Sequence, residues 1–142
     1  MGIAAILRDK GRDVAIVGPG DTVGAIVAHL ISRRIGAVLV TDGDRIVGVV
    51  SERDVVRGLA SHRGDVLALV ARDVMTSPVI TIAPSDTVAH AMELMTGGRI
   101  RHLPVVESGA LCGIVSIGDL VKRRIEEAEQ EALALKDYIA TG

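Results

Sequence analysis

The sequence predicts a mixed α/β fold of two β-α-β-β-α repeats packed about a pseudo-twofold axis, followed by a C-terminal helix. The first observation behind this prediction is that a shift of 65 residues aligns residues 17–59 with residues 82–124 without a gap. The second is that helical and strand-like patterns follow one another in the same order in both copies. A match at one fixed period, present only twice, favours a pseudo-twofold pair over a solenoid. The identical pairs are Pro19/Pro84, Asp21/Asp86, Thr22/Thr87, Val23/Val88, Arg34/Arg99, Ile35/Ile100, Val40/Val105, Gly48/Gly113, Val50/Val115, Ser51/Ser116, Asp54/Asp119 and Val56/Val121.

Each repeat begins with a short β-branched run, at residues 13–17 and 78–82, which predicts a first strand. "PGDTV" and "PSDTV" follow, and we expect Asp21 and Asp86 to be the N-caps of the next helices. Apolar residues then recur at helical spacing, which predicts the core-facing side of each helix. They are Val23, Ile26, Val27, Leu30 and Ile31 in the first copy, and Val88, Ala91, Met92 and Met95 in the second.

Two hairpins come next, because pairs of β-branched runs flank turn signals. The predicted strands are 37–41 with 45–51, and 102–106 with 110–116. A helix is expected after Ser51 and after Ser116. Cys112 aligns with Val47 and should therefore occupy a core strand position. Between the copies, Asp65 is expected to cap a connecting helix through residues 66–71.

The chain after Asp119 contains no Gly or Pro until Gly142 and is rich in strong helix formers. We therefore predict a first repeat with its N-terminal segment at 1–65, a connecting helix and second repeat at 66–124, and a helical tail at 125–142. The tail carries a loose apolar stripe of Leu120, Ile125, Ala128, Ala132, Leu135 and Ile139. Either this stripe packs along its own module or it forms a dimer contact, and we favour the contact.

The composition excludes several classes of function. A net charge of −2 and a single aromatic residue, Tyr138, argue against nucleic-acid binding. A single cysteine, Cys112, rules out an internal disulfide or a Cys-x-x-Cys site. The opening residues do not fit a signal peptide, and no apolar run reaches the roughly 18 residues of a membrane span. We therefore expect a cytoplasmic location.

The motif Gly-x-x-Ser-x-x-Asp, which we also call the repeated phrase, occurs twice, as "GVVSERD" and "GIVSIGD". In one interpretation Ser51 and Ser116 are N-caps, and Asp54 and Asp119 complete a capping box in the first helical turn. In the other, the same turns bind a nucleotide. The helix N-terminus would attract a phosphate, and the carboxylate would accept hydrogen bonds from a ribose diol. The preceding glycines would let another group approach the strand closely.

The duplicated pattern resembles a tandem CBS (cystathionine β-synthase) domain pair, also called a Bateman module, of the stand-alone bacterial type. "DVMTSPVITIAPSDTV" from Asp73, "RIRHLPVV" from Arg99, "IGAVLV" and "VGVVSERDVVRGLA" strengthen the resemblance, which extends from about Ile3 to Arg124. The resemblance implies that clefts between the repeats bind an adenosine-containing ligand, such as AMP, ADP, ATP, an NAD-type nucleotide or S-adenosylmethionine.

The resemblance also implies roles for particular residues. Asp54 and Asp119 would meet the ribose hydroxyls, and Ser51 and Ser116 would lie near the ribose or the phosphate. The base would lie against residues 10–14 and 75–79. The further candidate site residues are Lys10, Arg12, Thr76 and Val79 from these segments, Arg53 inside the first phrase, and Arg99, Arg101 and His102 near the phosphate.

The two candidate sites differ in chemistry. Gly36 and Ala37 stand in the first half where Arg101 and His102 stand in the second, and Gly118 replaces Arg53. His102 fits a phosphate role and a structural role equally well.

The sequence shows no catalytic constellation and no metal-ligand spacing among its histidines, so we expect neither an enzyme nor a metal site. The expected function is that of a regulatory sensor that binds an adenine nucleotide, with AMP as the first choice, and needs no cofactor. We expect this sensor to form a homodimer, to act on an unknown protein and not to contact a membrane. One alternative is a dimeric scaffold without an essential ligand. A weaker one is nucleic-acid binding through Arg33/Arg34 and Arg99/Arg101.

Overall fold

The structure is a computed structural model, and it describes residues 2–62 and 64–141. Met1, Arg63 and Gly142, and with them the outer ends of the predicted domains 1–65 and 125–142, lie outside the described residues. In chain order the elements are α1 (Ile3–Lys10), β1 (Ile16–Val17), α2 (Val23–Arg33), β2 (Ala37–Asp42), β3 (Arg45–Ser51), α3 (Glu52–His62), a 3-10 turn (Val66–Ala68), α4 (Ala71–Val74), α5 (Val88–Gly98), β4 (His102–Glu107), β5 (Ala110–Ser116) and α6 (Ile117–Thr141). The predicted mixed α/β class with two similar repeats and a C-terminal helix is confirmed.

The chain divides into two compact units. The first-repeat unit is Asp13–Ile80. Its sheet has the order β1-β2-β3, with β1 parallel to β2 and β2 antiparallel to β3. Residues 37–40 of β2 are all buried, so both faces of this strand are covered. The core consists of Ala15, Val17, Ile26, Leu30, Val38, Val40, Val50 and Ala71.

The second-repeat unit combines the described residues of Met1–Arg12 and Thr81–Gly142. Its hairpin β4-β5 is antiparallel, and Ile82 makes a parallel bridge to Val105 beside it. Cys112 packs, partly buried, against the core of this unit. That core consists of Ile3, Ile6, Leu7, Ile82, Val88, Ala91, Met95, Leu103, Val105, Val115 and Leu120.

The N-terminal helix α1 was not predicted, and it belongs to the second-repeat unit. The N–H groups of Ile3 and Ala4 donate to the carbonyls of Asp86 and Pro84, both at 3.0 Å. In the same way, Ala71 donates its N–H to the carbonyl of Asp21 at 2.8 Å, so the segment that precedes the second repeat packs on the first. The two compact units therefore do not coincide with the predicted domains 1–65, 66–124 and 125–142. The boundaries of these domains remain a prediction.

The predicted N-caps Asp21 and Asp86 are wrong by one residue. Thr22 and Thr87 are the N-caps, and their side chains accept hydrogen bonds from Ala25 N–H and His90 N–H. Each aspartate instead accepts a hydrogen bond at 2.7 Å from the backbone N–H three residues earlier, which closes the turn before the helix.

The predicted first strands and the connecting helix are shorter than expected. The strand at 13–17 is reduced to β1, and the one at 78–82 to a bridge at Ile82. Asp65 makes no side-chain cap, and only Val66–Ala68 is helical before Leu69 becomes extended. The cause is the contact with α2, because the Leu69 carbonyl accepts a hydrogen bond from Val23 N–H at 2.8 Å.

The helical tail is confirmed as the continuation of α6. Among the described residues of this helix only Leu120 is buried, and every residue from Glu129 to Thr141 is exposed. Within residues 2–62 and 64–141, no helix is both long and apolar enough to cross a membrane.

Candidate functional site

The first Ser-x-x-Asp turn joins β3 to α3. Oδ2 of Asp54 accepts hydrogen bonds from the N–H and the hydroxyl of Ser51, at 2.8 and 3.0 Å. The N–H of Asp54 lies 3.4 Å from Ser51 Oγ. This reciprocal pair is the capping box expected from the sequence, and it fixes the carboxylate at the helix N-terminus.

A second set of donors reaches the other oxygen of Asp54. Its Oδ1 accepts a hydrogen bond from the Thr76 hydroxyl at 2.8 Å and lies 3.4 Å from Nη1 of Arg57. Asp54 is only 4% exposed, whereas the Arg57 side chain is 66% exposed. Sequence reasoning missed Arg57, although its spacing of three residues from Asp54 on one helix is a usable signal.

The second Ser-x-x-Asp turn joins β5 to α6 and repeats the same cap. Oδ2 of Asp119 accepts a hydrogen bond from Ser116 N–H at 2.8 Å, and the N–H of Asp119 donates to Ser116 Oγ at 3.2 Å. Its outer partner is different. Nζ of Lys10, at the end of α1, lies 2.6 Å from Asp119 Oδ2 and donates a further hydrogen bond to the Ile114 carbonyl at 2.9 Å.

The Lys10 contact also sets the electrostatics of this turn. Partial burial acts to raise the pKa of the Asp119 carboxyl. The hydrogen bond and charge of Lys10, together with the hydrogen bonds from Ser116, outweigh that effect and hold the pKa below its ordinary value. The side chains of Asp119 and Lys10 are 24% and 34% exposed, so this ion pair is partly in contact with solvent.

The two glycines of the repeated phrase permit close packing, as expected. A Cβ at Gly113 would come within 2.8 Å of Leu7 Cδ2 on α1, and a Cβ at Gly48 would come equally close to Met75 Cγ. The groups that approach are therefore side chains of the segments that precede the opposite repeat. This approach carries Lys10 to Asp119 and Thr76 to Asp54.

The phosphate candidates lie beside the second turn through the backbone. The Arg101 carbonyl accepts a hydrogen bond from Ile117 N–H at 2.8 Å, and half-buried His102 is the cross-strand neighbour of Ser116. Arg99 is the left-handed C-cap of α5, with φ at 53°.

The remaining candidates are placed less closely. Arg12 and Arg53 are exposed and Val79 is half-buried. Within the described residues, no side-chain hydrogen bond to either carboxylate comes from Arg12, Arg53, Arg99 or Arg101. The same residues contain no cluster of three groups that could hold a metal ion.

The comparisons with known proteins agree with this architecture. The CBS domain family matches residues 7–61 and 71–126. The mitochondrial CBS domain-containing protein CBSX3 of Arabidopsis thaliana is 35% identical over an alignment of 149 residues, gaps included. The alignment covers 99% of this chain and 72% of that protein.

Two solved structures extend the comparison. The CBS-domain containing protein ATU1752 of Agrobacterium tumefaciens is 42% identical with a TM-score of 0.84, over 87% of this chain and 99% of the other. The CBS domain protein PAE2072 of Pyrobaculum aerophilum, solved in complex with AMP, is 31% identical with a TM-score of 0.72, over 84% and 89% of the two chains. The chain therefore belongs to the CBS domain family, of which it contains a tandem pair.

Proposed function

We propose that this chain is a regulatory module that binds an adenosine nucleotide at its Ser-x-x-Asp turns, with AMP as the first choice and ADP, ATP or an NAD-type nucleotide as alternatives. One observation carries the proposal: in each repeat a carboxylate is held at a helix N-terminus, where a ribose diol and a phosphate could both be recognised. The AMP complex of the related PAE2072 protein supports the choice of ligand.

We favour Asp119 over Asp54 as the acceptor of the ribose diol. Asp54 is almost fully buried, and donors already reach both of its oxygens. A diol could bind there only after displacing a buried hydrogen bond. Asp119 is more exposed, and the ammonium of its partner Lys10 is partly exposed, so replacing this contact costs little.

Displacement of Lys10 would also supply a phosphate contact. An ammonium group has three donors and a flexible stem, so Lys10 could turn from Asp119 to a phosphate without losing its charge partner. Arg101 accepts a backbone hydrogen bond from Ile117 and His102 is the cross-strand neighbour of Ser116, so their side chains would be further donors for a phosphate at this turn. The first repeat has Gly36 and Ala37 at these positions and lacks the equivalent groups.

The adenine would be held without aromatic stacking. The chain has no Phe or Trp, and Tyr138 lies far along α6. In the first-repeat unit the available groups are aliphatic side chains such as Val79 and the backbone amides of residues 75–79, and beside Asp119 they are the backbone amides of the segment that begins at Lys10. Binding would therefore rest on apolar burial and hydrogen bonds to the base edge.

Calorimetric titration of AMP and 2′-deoxy-AMP tests the ribose role. A carboxylate left without its donor costs on the order of 1–3 kcal/mol, so we expect 2′-deoxy-AMP to bind roughly 5- to 150-fold more weakly. Asp119→Ala should remove most of this difference, whereas Asp44→Ala, at an exposed turn, should keep it. A difference lost in Asp54→Ala instead would move the site to the first repeat. No coupling at either aspartate would refute the ribose role and leave the capping box as the whole explanation.

The second candidate function is a dimeric scaffold without an essential ligand. The observation that favours it is the exposed half of α6, which packs against nothing in the described chain. Mass spectrometry of small molecules released from natively purified protein separates the two functions. The homodimer, the regulated protein and the cytoplasmic location remain predictions, as does the weaker possibility of nucleic-acid binding.

A further inference from the structure

The C-terminal half of α6 has no packing partner in the described chain. All residues from Glu129 to Thr141 are exposed, and Ile125, Leu135 and Ile139 are each more than half exposed. An isolated helical segment of this length is marginal in water, because most helix stability in proteins comes from packing of an apolar face. The exposed half of α6 therefore gains little stability from packing within the described chain, and a partner that covers its apolar face would stabilise it.

The exposed apolar residues follow the spacing of a coiled coil. Val121, Ile125, Ala128, Ala132, Leu135 and Ile139 are separated alternately by four and three residues, which is the a/d pattern of a heptad repeat. We call these six residues the α6 seam. Leu120, which was expected on this stripe, is buried in the core of the second-repeat unit instead. The seam lies roughly a quarter turn away from Leu120 around the helix, so it can be covered without disturbing that core.

The seam composition fits a pair of helices. Ile125 and Ile139 occupy a positions and Leu135 occupies a d position. Ile at a with Leu at d favours two parallel strands over three or four. The two central layers contain Ala128 and Ala132, which bury little surface, so the larger residues on either side would carry most of the association.

The charges beside the seam distinguish the two possible orientations. In a parallel, in-register pair, Arg124 lies next to Glu129 of the second copy and Glu131 lies next to Lys136 of the second copy. Both contacts join opposite charges. An antiparallel pair that covers the same seam places Glu129 against Glu129, Glu131 against Glu131 and Lys122 against Lys136. Since residues beside the seam set the orientation of a coiled coil, these like-charge contacts favour the parallel form over the antiparallel one.

We propose that residues 121–139 of α6 pair with the same segment of a second copy as a parallel, two-stranded coiled coil. The pairing does not depend on nucleotide binding and would persist if the proposed function were wrong. The existing contact of Arg124 with Glu127, at 3.7 Å on an exposed side chain, is weak and can be exchanged for the contact with the second copy.

Sedimentation equilibrium of the full chain tests the pairing. The wild type should sediment with about twice its 14.8 kDa mass at micromolar concentration. Leu135→Asp should weaken association roughly 100-fold, because two copies of the residue lose their burial. Leu133→Asp is the matched control, since Leu133 is equally exposed but lies off the seam, and it should associate as the wild type does. A monomeric wild type, or equal effects of the two variants, would overturn the proposal.

A charge exchange tests the orientation. Glu131→Lys should weaken a parallel dimer about three- to tenfold by facing Lys136 of the second copy, and adding Lys136→Glu should restore it. In an antiparallel dimer, position 131 faces itself, so Glu131→Lys only replaces one like-charge contact with another. An unchanged dissociation constant for Glu131→Lys would therefore refute the parallel orientation. All these positions are exposed, and circular dichroism of each variant establishes that the fold is intact.

Discussion

The two Ser-x-x-Asp turns share one cap and differ in what reaches it from outside. In both, the serine N–H donates to Oδ2 of the aspartate at 2.8 Å. Asp54 is then enclosed by a neutral hydroxyl, that of Thr76, and by Arg57, and it is 4% exposed. Asp119 is met by the Lys10 ammonium and keeps 24% exposure. The same sequence motif therefore places a buried carboxylate, that of Asp54, in the first repeat and a partly exposed one, that of Asp119, in the second.

The difference originates outside the repeated phrase. Lys10 and Thr76 belong to the segments that precede each repeat, and each segment packs on the unit that contains the opposite repeat. Gly113 and Gly48 allow this packing equally in both. The repeat thus supplies a constant cap, while residues of the segment that precedes the opposite repeat determine whether the carboxylate is closed off or partly exposed.

Replacement of each aspartate should show the difference between the two turns most clearly. Asp54→Ala removes a buried group with four donors around it, and we expect the free energy of unfolding to fall by about 3 kcal/mol. Asp119→Ala removes a cap and a partly exposed ion pair, and we expect a loss of about 1 kcal/mol. Urea denaturation of the two variants measures both values. Equal losses would show that the two turns are equivalent in the folded protein.

Replacement of Thr76 and Lys10, which contact the two aspartates from outside the capping box, should show the same difference between the two turns. Thr76→Val keeps the side-chain shape but leaves Oδ1 of buried Asp54 without its hydroxyl donor, which should cost about 1–3 kcal/mol of stability. Lys10→Met keeps the apolar stem and removes only the partly exposed ammonium, and the expected cost is within about 1 kcal/mol. A larger cost for Lys10→Met than for Thr76→Val would contradict the assignment of Asp54 as the closed carboxylate.

Local patterns account for what the sequence could predict. The strands 45–51 and 110–116 and the caps at Ser51 and Ser116 depend on neighbouring residues, and their predicted bounds agree with β3 and β5. The shortened first strands could not be foreseen, because their pairing depends on which backbone groups lie beside them in the folded units.

The packing of α1 on the second-repeat unit could not be predicted either, because it also depends on which groups lie close together in the folded unit. The N-cap of α1 is Gly2, which has no side chain that could accept a hydrogen bond, so the polar residue that usually marks the start of a helix is missing. Ile3, Ile6 and Leu7 do have helical spacing, which could have revealed the helix but not its destination. The contact of Lys10 with Asp119 spans most of the chain, and no local pattern encodes it. The sequence could therefore nominate the candidate site residues as a set, which remains a prediction, but it could not show which of them contact each other.

The smallest expected effect concerns pH and isolates the Lys10 contact. Because the pKa of Asp119 lies below its ordinary value of 3.8 in the folded state, the stability it contributes is fully present above that value. This contribution is lost as the pH falls through the lowered pKa, where the folded state also becomes protonated. Lys10→Met removes one cause of the lowering, so its free energy of unfolding should fall less steeply on acidification below about pH 4 than that of the wild type. Urea denaturation between about pH 3 and about pH 6, a window that begins below the ordinary carboxyl pKa values and ends above them, measures both slopes. Identical slopes would mean that Lys10 does not lower the pKa of Asp119 and that the hydrogen bonds from Ser116 account for the lowering.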